Sequence, residues 1–327
     1  MRAMVFKKAG KPLVLRDVPR PVPGLNEVLI KVMACGVCRT DLHIVEGELP
    51  HPKLPLIPGH QIVGVIDQTG SKVSKYQVGD RVGVPWLGGC CDHCEFCLSG
   101  RENLCDGAIY TGYLRNGGYA EYCTAHEDFI LNIPSNYEDL QAAPLLCAGL
   151  IGFRAFRLTW PAKTIGFYGF GSSAHLLVQV VDVLGKEVYV FTRPGDTKKQ
   201  EFALSLGAKW AGGSDEVPPK LLDAALIFAP DGSLYPQALK VVKKGGKVIS
   251  AGIHMSDIPS FPYALLWEER SLSSVANLTR QDGLDYMELV KDVHLKATVT
   301  AYSLEEANSA LAGIKNGTLE GSAVLII

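Results

Sequence analysis

No stretch of the 327-residue chain approaches the 18 or so uninterrupted apolar residues that a membrane-spanning helix needs, which removes that class from consideration. Charge of one sign is also scarce. The 32 Lys and Arg stand against 34 Asp and Glu, and a formal charge of -2 recommends neither nucleic acid nor an anionic membrane as a partner. Residues 1–15 alternate as a strand does and hold no apolar run of a secretory leader, so the chain is expected in the cytoplasm. Internal repeats and low-complexity linkers are missing too, which excludes solenoid and arrayed architectures. Apolar residues are plentiful at 47%, and the length exceeds what one hydrophobic core usually serves. Two domains are expected.

Up to about residue 150 the chain shows short strand-like runs (4–6, 27–34, 62–68, 81–84, 119–124) between Gly and Pro turns. After Pro144 the character changes. A helical stretch over 145–158 precedes an alternation of apolar strands (164–168, 188–192, 224–228, 247–251) with amphipathic helices (173–184, 197–206, 234–242). This is the pattern of a doubly wound parallel sheet with helices on both faces, in an α/β chain whose first domain is strand-rich. A strand over 272–276 and a helix over 281–290 complete about six strands; 299–302 and 323–327 return to β character and are expected to rejoin the first domain. Ser303 and Glu306 have capping-box spacing at the start of a helix reaching 316. The predicted division is therefore 1–150 with 291–327, and 151–290.

Five of the nine cysteines crowd into residues 90–105, which points to metal rather than to disulfides. Cys91, Cys94, Cys97 and Cys105 form C-x-x-C-x-x-C-x7-C, so one short loop can wrap four thiolates tetrahedrally around zinc. Such a closed site is structural. Cys90 competes for the first position, but Cys91 preserves the C-x-x-C pair.

Gly169-Phe170-Gly171-Ser172-Ser173-Ala174 follows an apolar strand and opens a helix, which places G-x-G-x-x-A in the setting of a dinucleotide-binding turn. Gly169 permits the tight turn, Gly171 admits pyrophosphate to the backbone N–H groups, Ser172 and Ser173 begin the helix, and Ala174 allows close packing. About twenty residues on, where an NAD enzyme places an acid, stand Thr192 and Arg193. Both could hold a 2′-phosphate, which favours NADP; stacking of Arg193 on adenine would leave NAD usable.

Three further candidates are dispersed: Cys38 in GVCRTDLH, His60 in PGHQ and Cys147 in LLCAG. Singly, a Cys or His is more often a buried structural residue, yet two thiolates and one imidazole with an open fourth position are a known catalytic zinc arrangement. From GVCRTDLH through PGH, the cysteine lobe, GGYAEY, LLCAG and GFGSSAH to the last strand, the chain resembles the zinc-dependent alcohol dehydrogenases of the medium-chain dehydrogenase/reductase superfamily. The resemblance implies a GroES-like catalytic domain beside a Rossmann cofactor domain. It implies two Zn²⁺ per subunit, the catalytic one on Cys38, His60 and Cys147, with a small alcohol or aldehyde as substrate.

By the same resemblance Thr40 takes the alcohol proton, His43 passes it on, and Asp41 orients His60. Arg280 in NLTR contacts cofactor phosphate, and Leu49 and Trp86 wall the substrate pocket; Leu49 stands where some relatives carry Trp, which predicts room for longer or bulkier alcohols. Two positions depart from the family: Gln61 replaces a Glu after the zinc histidine, and Ile151 replaces a Thr. Relatives of this length imply a homodimer or homotetramer, with the edge strand at 272–276 as the expected contact. A zinc-free quinone or enoyl reductase and a catalytically silent, redox-sensing dinucleotide binder are the competing readings. The presence of all seven ligand positions, with Thr40 and His43, weighs against both.

Overall fold

The computed structural model describes residues 1–327. It divides into two compact units, Met1–Leu150 with Asn277–Ile327, and Ile151–Ala276.

The first unit is organised around one long strand, Glu27–Val37, in a seven-stranded sheet. Alternation leaves Lys31 and Met33 outward and buries Ile30, Val32 and Ala34. Gln61–Thr69 pairs with it antiparallel along one side, and Arg81–Val84 extends the sheet from there. On its other side Tyr122–His126 pairs with the first half of the long strand and Ser322–Ile326 with the second, both antiparallel. Val299–Ser303 lies parallel to Ser322–Ile326, so the last residues of the chain finish a sheet begun near its start. The Ala307–Asn316 helix buries Ala307, Ala310 and Leu311; it is preceded by a 3-10 turn, Leu304–Glu306, that carries the Ser303/Glu306 capping box.

The second division of the chain falls at Ala276, whereas the sequence pattern predicts 290. The reason is the Arg280–Asp292 helix, whose buried residues include Tyr286, Met287 and Val290. Tyr286 abuts Gly149, Gly283 abuts Leu131, and the Tyr137 hydroxyl lies 2.6 Å from the Val293 carbonyl. A helix that follows the last strand of a parallel sheet reads as the next member of the alternation, but here its apolar stripe belongs to the other core.

The second unit is a six-stranded parallel sheet in the order Trp210–Gly213, Glu187–Thr192, Thr164–Tyr168, Leu222–Ile227, Val242–Ser250, Ser271–Ser274. Thr164–Tyr168 is buried at every residue, as a central parallel strand covered on both faces must be. The order reverses beside this strand, which defines a doubly wound Rossmann sheet. Trp210–Gly213 is the one strand of this sheet that the sequence does not predict; WAGG offers neither alternation nor an apolar run, and only pairing with Glu187–Thr192 makes it a strand. No helix is long and apolar enough to cross a membrane.

Candidate active site

The long strand Glu27–Val37 delivers Cys38 to the start of the Arg39–Glu46 helix, where it is the N-cap residue. The Asp41 carboxylate accepts the Cys38 N–H at 2.9 Å, satisfying one of the orphan donors of a helix start. Its other oxygen faces Nδ1 of the fully buried His60 at 3.3 Å and accepts from Gly59 N at 3.3 Å. One carboxylate thus holds both ligand-bearing segments. Cys147 sits at the break between the 3-10 turn Ala143–Leu146 and the Ala148–Leu158 helix, so the expected single helix over 145–158 is two pieces with the thiol at the joint.

These elements bring Cys38 Sγ to 3.3 Å and Cys147 Sγ to 3.4 Å from His60 Nε2, with all three donor atoms within 4.8 Å of one another. Tetrahedral zinc with ordinary bond lengths puts sulfur and nitrogen ligands about 3.6 Å apart, so the set fits the ion without rearrangement. The electrostatics agree. A hydrogen bond shared with Cys147, together with burial, pushes the Cys38 thiol well up, and His60 is raised to about 10 because Cys38 and Asp41 outweigh the burial that would lower it. The cluster therefore favours a positive charge at its centre, which a divalent cation supplies.

The approach to His60 is fixed by a backbone zipper: Gly117 N donates to Ile57 O at 2.7 Å, Gly118 N to Gly59 O at 3.0 Å and Tyr119 N to Pro58 O at 3.0 Å. The two segments are so close that a Cβ on Gly117 would lie 1.9 Å from Gly59 O. Gly117→Ala is expected to cost about 2–3 kcal/mol, since a backbone carbonyl must move to admit the methyl; thermal denaturation of the variant measures it. Beside the zipper, Trp86 meets the His60 ring edge-on at 4.8 Å between centroids and stacks on Tyr110 at 5.1 Å and Tyr113 at 5.7 Å. The Tyr113 hydroxyl donates to the Pro50 carbonyl, next to Leu49. Tyr110 and Tyr113 were not legible as site residues, because IYTGY carries no motif; only the stacking on Trp86 reveals them.

The four thiols of the cysteine lobe converge as their spacing predicts. Sγ of Cys91, Cys94, Cys97 and Cys105 all lie within 4.8 Å of one another, with Cys91 to Cys97 at 3.9 Å and Cys94 to Cys97 at 3.5 Å, around the roughly 3.8 Å of a zinc tetrathiolate. Asp92 turns the loop in the left-handed region at φ 59°, and N–H groups around it, from His93 and Cys94, lower the Cys91 thiol to about 6. Cys90 lies outside the cluster and donates to Asp92 Oδ1 at 3.1 Å.

In the second unit Gly169 adopts φ 92° and its N–H donates to Phe191 O at 2.8 Å, so the chain turns sharply off the central strand. Gly171 caps the Ser172–Val183 helix, and a Cβ there would project into open space, leaving the helix start accessible; Ala174 is wholly buried beneath it. Ser172 and Ser173 supply first-turn N–H groups of the kind that take phosphate. Two expected cofactor residues are placed differently. Thr192 is buried, and its hydroxyl is taken up by the Gly212 carbonyl at 3.3 Å and the Gln200 amide at 3.0 Å, since the pleat turns it into the sheet layer. Arg193, one residue on, is exposed. Arg280 is committed within the first unit: Nε lies 3.2 Å from Glu102 and Nη2 3.3 Å from Asp92, with the guanidinium over the Phe129 ring. It fastens the cysteine lobe to the Arg280–Asp292 helix.

A GroES-like sheet bearing the Cys, His, Cys set, together with a Rossmann unit, defines the medium-chain dehydrogenase/reductase class. Residues 24–135 match the model of the alcohol dehydrogenase GroES-like domain. The chain is 43% identical to a probable alcohol dehydrogenase of Mycobacterium tuberculosis over 96% of its own length and 92% of that protein's. It is 36% identical to an alcohol dehydrogenase of Geobacillus stearothermophilus, with 99% of each covered. Among solved structures, the cobalt- and zinc-bound thermostable alcohol dehydrogenase from Pyrobaculum aerophilum superposes with a TM-score of 0.91 at 26% identity, covering 100% of this chain and 99% of that one. The chain belongs to the zinc-type alcohol dehydrogenases of that superfamily, oxidoreductases acting on alcohols.

Proposed function

We propose that the protein interconverts a small primary or secondary alcohol with its aldehyde or ketone, using one catalytic and one structural zinc and a nicotinamide dinucleotide. The observation that carries this is the convergence of Cys38, His60 and Cys147 donor atoms within 4.8 Å. When bound there, zinc supplies a Lewis acid that acidifies the substrate hydroxyl, and the nicotinamide takes the hydride. Thr40 and His43, three apart on the Arg39–Glu46 helix, share a face; Thr40 accepts the hydroxyl proton and His43 carries it away. Asp41 holds the imidazole of His60 in the orientation that presents Nε2 to the metal. Leu49 and the aromatic stack of Trp86 with Tyr110 and Tyr113 form an apolar wall, which supports alcohols larger than ethanol.

For the cofactor we favour NADP over NAD, on the exposed Arg193 with no acid beside it at the end of the second strand. Arg193→Ala is expected to lower the NADP-to-NAD ratio of kcat/KM about tenfold to a hundredfold, the worth of a charge-assisted contact to phosphate. A homodimer or homotetramer formed through the Ser271–Ser274 edge strand is part of the same reading, as that strand is paired along one side only. Nine cysteines without a disulfide suit a reducing compartment, consistent with the cytoplasm.

Metal analysis combined with oxidation of primary, secondary and aromatic alcohols, each with NAD and NADP, tests the whole. Zinc in both sites and turnover of several alcohols support it. Turnover without metal favours a quinone or enoyl reductase, dinucleotide binding without turnover favours a redox sensor, and activity confined to methanol and ethanol overturns the pocket assignment.

A further inference from the structure

The Arg39–Glu46 helix ends at Gly47, which adopts φ 82° and sends the chain back over the last turn. The Glu48 N–H donates to the His43 carbonyl at 2.9 Å, and this return brings the Glu48 carboxylate onto Nδ1 of the His43 ring. The imidazole is buried, with 7% of its side chain exposed, whereas Glu48 is 38% exposed. Nothing in the motif GVCRTDLH signals this partner, because Glu48 lies beyond it in GELP.

We propose that Glu48 is a positioning residue for the proton relay, an inference that rests on the dehydrogenase reading above. An ionised carboxylate only accepts hydrogen bonds, so the nitrogen it contacts must carry hydrogen. His43 is thereby held as the Nδ1–H tautomer, and its Nε2 lone pair is the base. When the proton arriving from Thr40 bonds to Nε2, the ring becomes an imidazolium whose charge sits directly against Glu48. Nδ1 keeps its hydrogen throughout. The Nε2 proton then passes to water, which restores the neutral ring and leaves Glu48 ionised. The arrangement needs Gly47 for the turn and Glu48 for the charge.

The test uses the zinc-loaded protein with ¹⁵N-labelled histidine rings, the His43 signals assigned by their loss in His43→Ala. In the parent protein the His43 ring is expected to show a protonated Nδ1 and a bare Nε2. Glu48→Gln keeps an acceptor but removes the charge and is expected to lower kcat for alcohol oxidation about tenfold, with the tautomer retained. Glu48→Ala is expected to lose both, with a mixed tautomer and a fall in kcat of up to about a hundredfold that added formate partly reverses. Glu46→Gln, which removes a carboxylate of the same helix paired with Lys315, is expected to leave both readouts unchanged. A His43 spectrum and kcat unmoved by Glu48→Ala overturn the positioning role. Full activity in His43→Ala overturns the relay reading beneath it, whatever the spectrum of Glu48→Ala shows.

Discussion

Cys147→Ala is expected to reduce bound zinc from about two ions per chain to about one and to lower kcat/KM for alcohol oxidation by about three orders of magnitude, on the order of 4 kcal/mol of lost Lewis-acid stabilisation. The variant should still fold, because Cys147 occupies a joint between two helical pieces and caps the first through its backbone N–H, which donates to the Pro144 carbonyl and is kept in the substitution. His60 and Cys38 remain, but two donors with no third leave zinc exchangeable at micromolar chelator. Retention of both ions with unchanged turnover would sink the assignment of the catalytic centre. Elemental analysis after dialysis against a mild chelator, paired with steady-state kinetics, reads both consequences on one preparation.

The cysteine lobe should answer differently. Cys94→Ala is expected to remove the other zinc and to lower the thermal midpoint by about 10 °C, while the catalytic ion stays bound. Little apolar packing holds the loop: of the four ligands only Cys105 is buried, and Leu98 and Leu104 are exposed. On the zinc reading proposed above, metal is the main source of its order, and its loss is expected also to slacken the Arg280 tie from Asp92 and Glu102 to the Arg280–Asp292 helix. Limited proteolysis between residues 91 and 105, faster in the variant than in the parent, locates the damage. A variant with one zinc, an unchanged midpoint and an intact lobe would show that the thiols are not a structural site.

Several features were legible in sequence because local chemistry dictates them. C-x-x-C spacing forces thiols to one side of a turn, so the cysteine lobe needed no three-dimensional information. The Gly169 to Ala174 turn and the Ser303/Glu306 capping box are likewise short-range arrangements of backbone and neighbouring side chains. Other features depend on groups distant along the chain. The Thr192 hydroxyl meets the Gly212 carbonyl and the Gln200 amide, and Arg280 meets two acids of the cysteine lobe. Trp210–Gly213 is a strand only because Glu187–Thr192 offers it partners.

The sequence by itself determined the class of fold, the four-cysteine lobe, the glycine-rich turn and, through ordered motifs, which dispersed Cys, His and Cys come together. Tertiary structure decided the rest: that the Arg280–Asp292 helix belongs to the first core, that Tyr110 and Tyr113 back Trp86, and that Glu48 meets His43. Periodicity and spacing act over one or two turns of chain, so they record what neighbours must do. Burial and pairing between remote segments depend on which surfaces compete for the same core, and that competition is resolved only when the whole chain packs.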